Sequence, residues 1–169
     1  MAKPVVVVAR YEEDVSWIDR SPWDAFVVQK GEHLPNQGRE PASFFWYMAT
    51  QPISKTGMYA FVQGDPWPHG FEFSDLRAAA PYAPIGVFHY TSLGDGTPHH
   101  PGLEVDARYR EWLDGPPRTA FPFAAGGQFV VSGRALLQRP PEWYAEMQER
   151  MYDGDNPWVM ERLWHQVWA

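Results

Sequence analysis

The chain has 169 residues, a formal net charge of −7 and no cysteine. That length suits one domain burying about 70% of its unfolded surface, while the acidic balance, with no basic cluster, argues against a nucleic-acid backbone as partner. Without cysteine there is no disulfide framework, thiolate nucleophile or Cys-based zinc site, and no apolar run approaches the roughly 18 residues that would span a bilayer.

The opening MAKPVVVVA holds one lysine and a four-valine run, too short for the apolar core of a signal peptide, so a cytoplasmic setting is expected. Residues 5–9 are β-branched without alternation, the pattern of a strand buried on both faces. Asp14 then suits a helix N-cap before Val15, Trp17 and Ile18, with Ser21 and Pro22 ending that turn. Residues 25–29 predict a second strand, 31–38 a polar loop, and 40–50 a helix with an aromatic surface, closed by Pro52 and Gly57. Residues 59–62 predict a strand that runs directly into Gln63, Gly64, Asp65, Pro66, Trp67, Pro68 and His69.

A short helix is expected over 74–80, a strand over 85–90 and a glycine- and histidine-bearing loop over 93–102. Val105, Tyr109, Trp112 and Leu113 share one face of an expected helix over 104–113. Residues 121–131 read as one strand in which Gly126 and Gly127 allow a bend or a close backbone approach. Helices over 141–152 and 157–168 each open on proline. Strands and helices alternate with no repeat or linker, which predicts a single α/β domain over 1–169. Its expected form is a largely parallel sheet flanked by helices, with a helical C-terminus. The nine tryptophans could serve as carbohydrate platforms, but most are expected in packing.

Polar residues gather beside the ends of these elements. Arg10 and Glu13 follow the first strand, where α/β folds commonly meet a nucleotide, while Asp14 reads as a cap. Arg39 could grip a phosphate or carboxylate by two parallel bonds, or pair with a carboxylate to pin its loop. Gln63, Asp65 and His69 arrive at the carboxyl end of a strand, the usual place for ligands in an open α/β sheet. Gln128 follows two glycines, and Glu161 and His165, four residues apart, fall on one helix face. His89, His99 and His100 sit in or beside the 93–102 loop, with no spacing that forces them together. No GxxxxGK[ST] loop and no GxSxG elbow is present.

Taken in order, VVVVARYEEDVSW (5–17), QKG (29–31), NQGREPASFFWYM (36–48), FVQGDPWPH (61–69), GGQFVVSGRALLQRPPEWY (126–144) and ERLWHQVW (161–168) resemble the domain of unknown function 3431 family. The family usually has Asn where this chain has Glu12. Its pattern is in turn similar to a minimal GT-A-type glycosyltransferase, which implies a Rossmann-like, mostly parallel fold. The likeness implies Mn²⁺ or Mg²⁺ held by Asp65 and His165, and a base or acceptor-binding group at Glu161. It also implies a nucleotide held by Arg10 or Arg39. Such enzymes usually carry an acid where Gln63 stands.

The expected function is therefore a small glycosyltransferase-like enzyme for a nucleotide-sugar or similar polar substrate. Asp65, Glu161 and His165 would be catalytic, and Arg10, Glu13, Arg39, Glu40, Gln63, His69 and Gln128 would contact substrate. Two alternatives stand beside it: a natural-product tailoring enzyme that needs no nucleotide, and a non-catalytic module that binds carbohydrate or a partner protein.

Overall fold

Strand β1 (Val5–Arg10) is paired on both edges, in parallel, with β2 (Asp24–Gln29) and β3 (Met58–Gln63). The structure, a computed structural model, describes residues 4–77 and 81–168. Val6, Val7 and Val8 are fully buried, as the unalternating run requires. The pleat divides them. Val7 and Ala9 join Tyr59, Phe61, Phe129 and Val131 against the helices, while Val6 and Val8 join Ala60, Val62 and Val130 against Trp17, Phe71 and Leu76.

The helix-covered face carries α1 (Arg39–Thr50), α2 (Val105–Leu113), α4 (Pro141–Arg150) and α5 (Asn156–Val167); a single turn, α3 (Gly133–Leu136), follows the last strand. The other face is covered by 3-10 turns at Ser16–Arg20, Trp67–His69 and Phe73–Asp75. Helices therefore flank one face rather than two.

The expectation of a mostly parallel, Rossmann-like sheet is overturned. The sheet is mixed, in the order β2-β1-β3-β7-β4, and β7 (Gln128–Ser132) runs antiparallel to both β3 and β4 (Tyr82–Ile85). A second, two-stranded antiparallel sheet pairs β5 (His89–Leu93) with β6 (Ala120–Ala124). Period and burial, the signals that identify a strand, are blind to its direction.

Glycines explain two further differences. The strand expected over 121–131 is broken where Gly126 (φ +89°) and Gly127 (φ +60°) turn the chain from β6 into β7. Gly86 (φ +127°) likewise separates β4 from β5 within the strand expected over 85–90. Asp14 does not take the N-cap position, which falls on Val15; its carboxylate accepts from the Ser16 N–H at 2.9 Å in a local turn. The helix expected over 74–80 is a 3-10 turn at Phe73–Asp75, and residues 78–80 lie outside the described residues. Among the described residues no helix is long and apolar enough to cross a membrane.

Candidate functional site

Four strands end on one edge of the large sheet, and β7 begins there. The register aligns Arg10 with Gln29, Ala9 with Gln63, and Ile85 with Gln128. The N-terminus of α1 and the first turns of α5 close over this edge. Between them lies a cavity of about 180 Å³ lined by Arg39, Glu40, Phe44, Gln63, His69, Gly126, Gly127, Pro157, Trp158, Glu161 and Trp164.

Its wall is tightly specified. The Gly126 N–H donates to Glu161 Oε1 at 2.6 Å, and Arg162 donates to Glu161 Oε2 at 3.2 Å. Arg162 is buried over Phe123 and also donates to the Trp158 carbonyl at 2.7 Å; burial lowers its pKa, against the opposing pull of Glu161. Gln63 Nε2 donates to the Gly126 carbonyl at 3.2 Å, and Gln63 Oε1 lies 2.9 Å from His69 Nδ1. Behind them Gln128, buried, accepts from the Gln63 N–H at 3.0 Å and donates to the Pro66 carbonyl at 3.3 Å. The buried Trp164 Nε1–H has no hydrogen-bond partner among the described residues and abuts Gly127.

A second cleft of about 210 Å³ adjoins the first, because Arg39 and Glu40 line both. Ala9, Arg10, Tyr11, Glu13, Lys30 and Asn36 complete it. Gly38 (φ +70°) lets the chain enter α1 where an added Cβ would lie 2.6 Å from Ala42 Cβ. Arg39 itself has φ +48°, rare for a side-chain-bearing residue, and its guanidinium lies 4.5 Å from the Trp158 ring centre. Its Nε is 3.6 Å from Glu40 Oε2. Lys30 is buried and donates to the Gln37 carbonyl at 2.9 Å; burial pushes its ammonium pKa down to about 8, with Glu40 opposing. Arg10 is engaged by the Glu13 carbonyl and the Gln29 side chain, and Glu13 Oε2 accepts from the Tyr11 N–H at 2.7 Å.

Of the residues expected in the site, Arg39, Glu40, Gln63, His69 and Glu161 meet in the first cavity, and Arg10 and Glu13 in the second. Gln128 stands behind the wall as a support. Asp65 is exposed and is not among the residues lining either cavity. His165 is exposed, packs edge-on to Tyr82 at 5.7 Å, and lines a different surface cleft with Arg118 and Gln166. His165 lies a full turn, about 6 Å, further along α5 than Glu161 and about 100° round the helix from Trp164, so it leaves the cavity that Glu161 and Trp164 face.

Asp65 and His165 thus do not fit as joint ligands of a divalent metal. Among the described residues no group of three or more His, Asp or Glu could hold one. His89, His99 and His100 have separate neighbours: the Gly86 carbonyl, Tyr90 and Trp158.

Sequence reasoning missed Lys30, Trp158 and Trp164. A Pro-Trp pair opening the last helix marked Trp158, whereas no local feature sets Lys30 or Trp164 apart. Comparisons with models of protein families, with curated proteins and with solved structures find no match to this chain.

Proposed function

We propose that this chain is a small glycosyltransferase-like enzyme that binds a nucleotide-sugar or a closely similar sugar phosphate. The sugar occupies the cavity around Glu161 and His69, and its anionic part occupies the cleft around Lys30 and Arg39. The observation that carries this reading is the shared wall. One compartment offers carboxylate, imidazole and amide groups suited to hydroxyls, the next sets the cations of Arg10, Lys30 and Arg39 against the two carboxylates of Glu13 and Glu40, and Arg39 faces both. At about 180 and 210 Å³, the two together reach the volume of an ordinary small-molecule site, about 300–1,000 Å³. The unpartnered Trp164 N–H supports it further, since a ligand oxygen would satisfy a donor that is costly to leave buried alone. The resemblance to the domain of unknown function 3431 family and to glycosyltransferases points the same way.

The module reading is weaker. Of the nine tryptophans, Trp67 is the one among the exposed large apolar residues; the others are buried or partly buried. A nucleotide-independent tailoring reaction is favoured by one observation, the separation of Asp65 from His165 and from the cavity.

Thermal-shift measurements with nucleotide sugars, sugar phosphates and free sugars, each with and without Mn²⁺ or Mg²⁺, separate these readings. The expected result is a rise in melting temperature with nucleotide sugars that Lys30→Met and Glu161→Gln each abolish, and that Asp65→Ala preserves without metal. A response to free sugars alone supports the nucleotide-independent reaction, and no response to any of these ligands sinks the proposal.

A further inference from the structure

We infer that His69 is the proton acceptor of the cavity, with Gln63 and Gln128 as the residues that position it; the inference rests on the sugar-site reading above. A backbone carbonyl can only accept a hydrogen bond. The Gln63 group 3.2 Å from the Gly126 carbonyl is therefore its NH₂ end, and its oxygen is the end that meets His69 Nδ1 at 2.9 Å. An amide oxygen cannot donate, so Nδ1 must carry the hydrogen. A neutral imidazole carries only one, which leaves Nε2 as a bare lone pair.

Gln128 holds the main chain of Gln63 in place. Its NH₂ end faces the Pro66 carbonyl and its oxygen accepts the Gln63 N–H, and at 1% exposure it has no water-facing alternative. Gln128 thus anchors the backbone from which the Gln63 side chain springs, while the Gly126 carbonyl sets the polarity that Gln63 presents to the ring.

The ring is also held sterically. A Cβ on Gly126 would lie 2.5 Å from His69 Cγ, and one on Gly86 would lie 2.7 Å from the His69 carbonyl oxygen. His69 lines the cavity together with Glu161, and no hydrogen bond to its Nε2 is found among the described residues. Glu161 differs: each of its oxygens already accepts a bond, one from Gly126 and one from Arg162. That arrangement holds a carboxylate still for gripping hydroxyls and leaves the moving proton to His69.

In the reaction, an acceptor alcohol or water attacks the anomeric carbon and its O–H proton passes to Nε2. A new C–O bond forms as the bond from the anomeric carbon to the phosphate oxygen breaks, its electron pair leaving on the phosphate.

Long-range ¹H–¹⁵N spectra of the full chain labelled at its six histidines read the tautomer without any substrate. His69, assigned by the signal lost in His69→Asn, is expected as the Nδ1–H form, whereas free imidazole side chains favour Nε2–H; Gln63→Leu should return it toward the latter. With a saturating nucleotide sugar, His69→Asn should lower kcat for transfer or hydrolysis by about 100-fold or more, a loss that weaker binding alone does not produce at saturation. An Nε2–H tautomer in the wild-type chain, or wild-type turnover in His69→Asn, overturns the proton-acceptor role and leaves the melting response untouched. A wild-type chain that responds to no nucleotide sugar overturns the sugar-site reading, and the role with it.

Discussion

Lys30 directly follows β2 with its ammonium buried against the Gln37 carbonyl, and burial lowers its pKa from 10.5 to about 8. Between those values the unfolded chain keeps a proton that the folded chain has released. Stability contributed at this residue therefore rises as pH climbs from about 8 to 10.5. Denaturant titrations at the two ends of that window should show wild type gaining stability relative to Lys30→Met as pH is raised. Affinity for an anionic ligand should move the other way, falling above pH about 8 in wild type and much less in Lys30→Arg. Lys30 stood outside the residues singled out from sequence because nothing local announces burial; it is Glu40, Arg39 and Glu13, from other elements, that surround it. Gln63 was singled out, but as a substrate contact. Its side chain is instead committed to the Gly126 carbonyl and His69, partners 63 and 6 positions away.

At the scale of elements, the turn between β6 and β7 decides the site. Gly126 has φ +89°, donates to Glu161 and leaves room for the His69 ring. Gly102 has φ +97° with nothing within 4 Å of an added Cβ, so it isolates the backbone part of the same change. Gly102→Ala should cost roughly 1–2 kcal/mol from the left-handed conformation alone. Gly126→Ala should cost clearly more in urea unfolding, and should also remove the ligand-induced melting shift that Gly102→Ala keeps. The doublet at 126–127 was visible in the sequence as a bend or a close approach, and it is both. What the doublet could not reveal is that the bend moves the chain from one sheet to another, since that depends on which neighbours β6 and β7 find.

For the whole molecule, the aromatic core ties sheet to helices. Phe129, fully buried on β7, meets Phe61 at 5.1 Å, Trp164 at 4.8 Å and Trp168 at 5.3 Å. Phe129→Ala should cost about 3–5 kcal/mol, with far-UV circular dichroism and tryptophan fluorescence shifting together if the chain unfolds as one unit. Separate transitions for the two probes would count against a single domain. Local sequence was enough for the doubly buried first strand, the helices near 40–50, 104–113, 141–152 and 157–168, and the strand ends where most of the polar residues gather. These are written in periodicity, prolines and glycines, which act over a few residues. Only the tertiary structure decided that β7 inserts antiparallel between β3 and β4, that Glu161 enters the cavity while His165 leaves it, and that Asp65 stands apart. The physical reason is the same in each case: strand direction and side-chain convergence are set by long-range pairing and packing, which no short stretch of chain encodes.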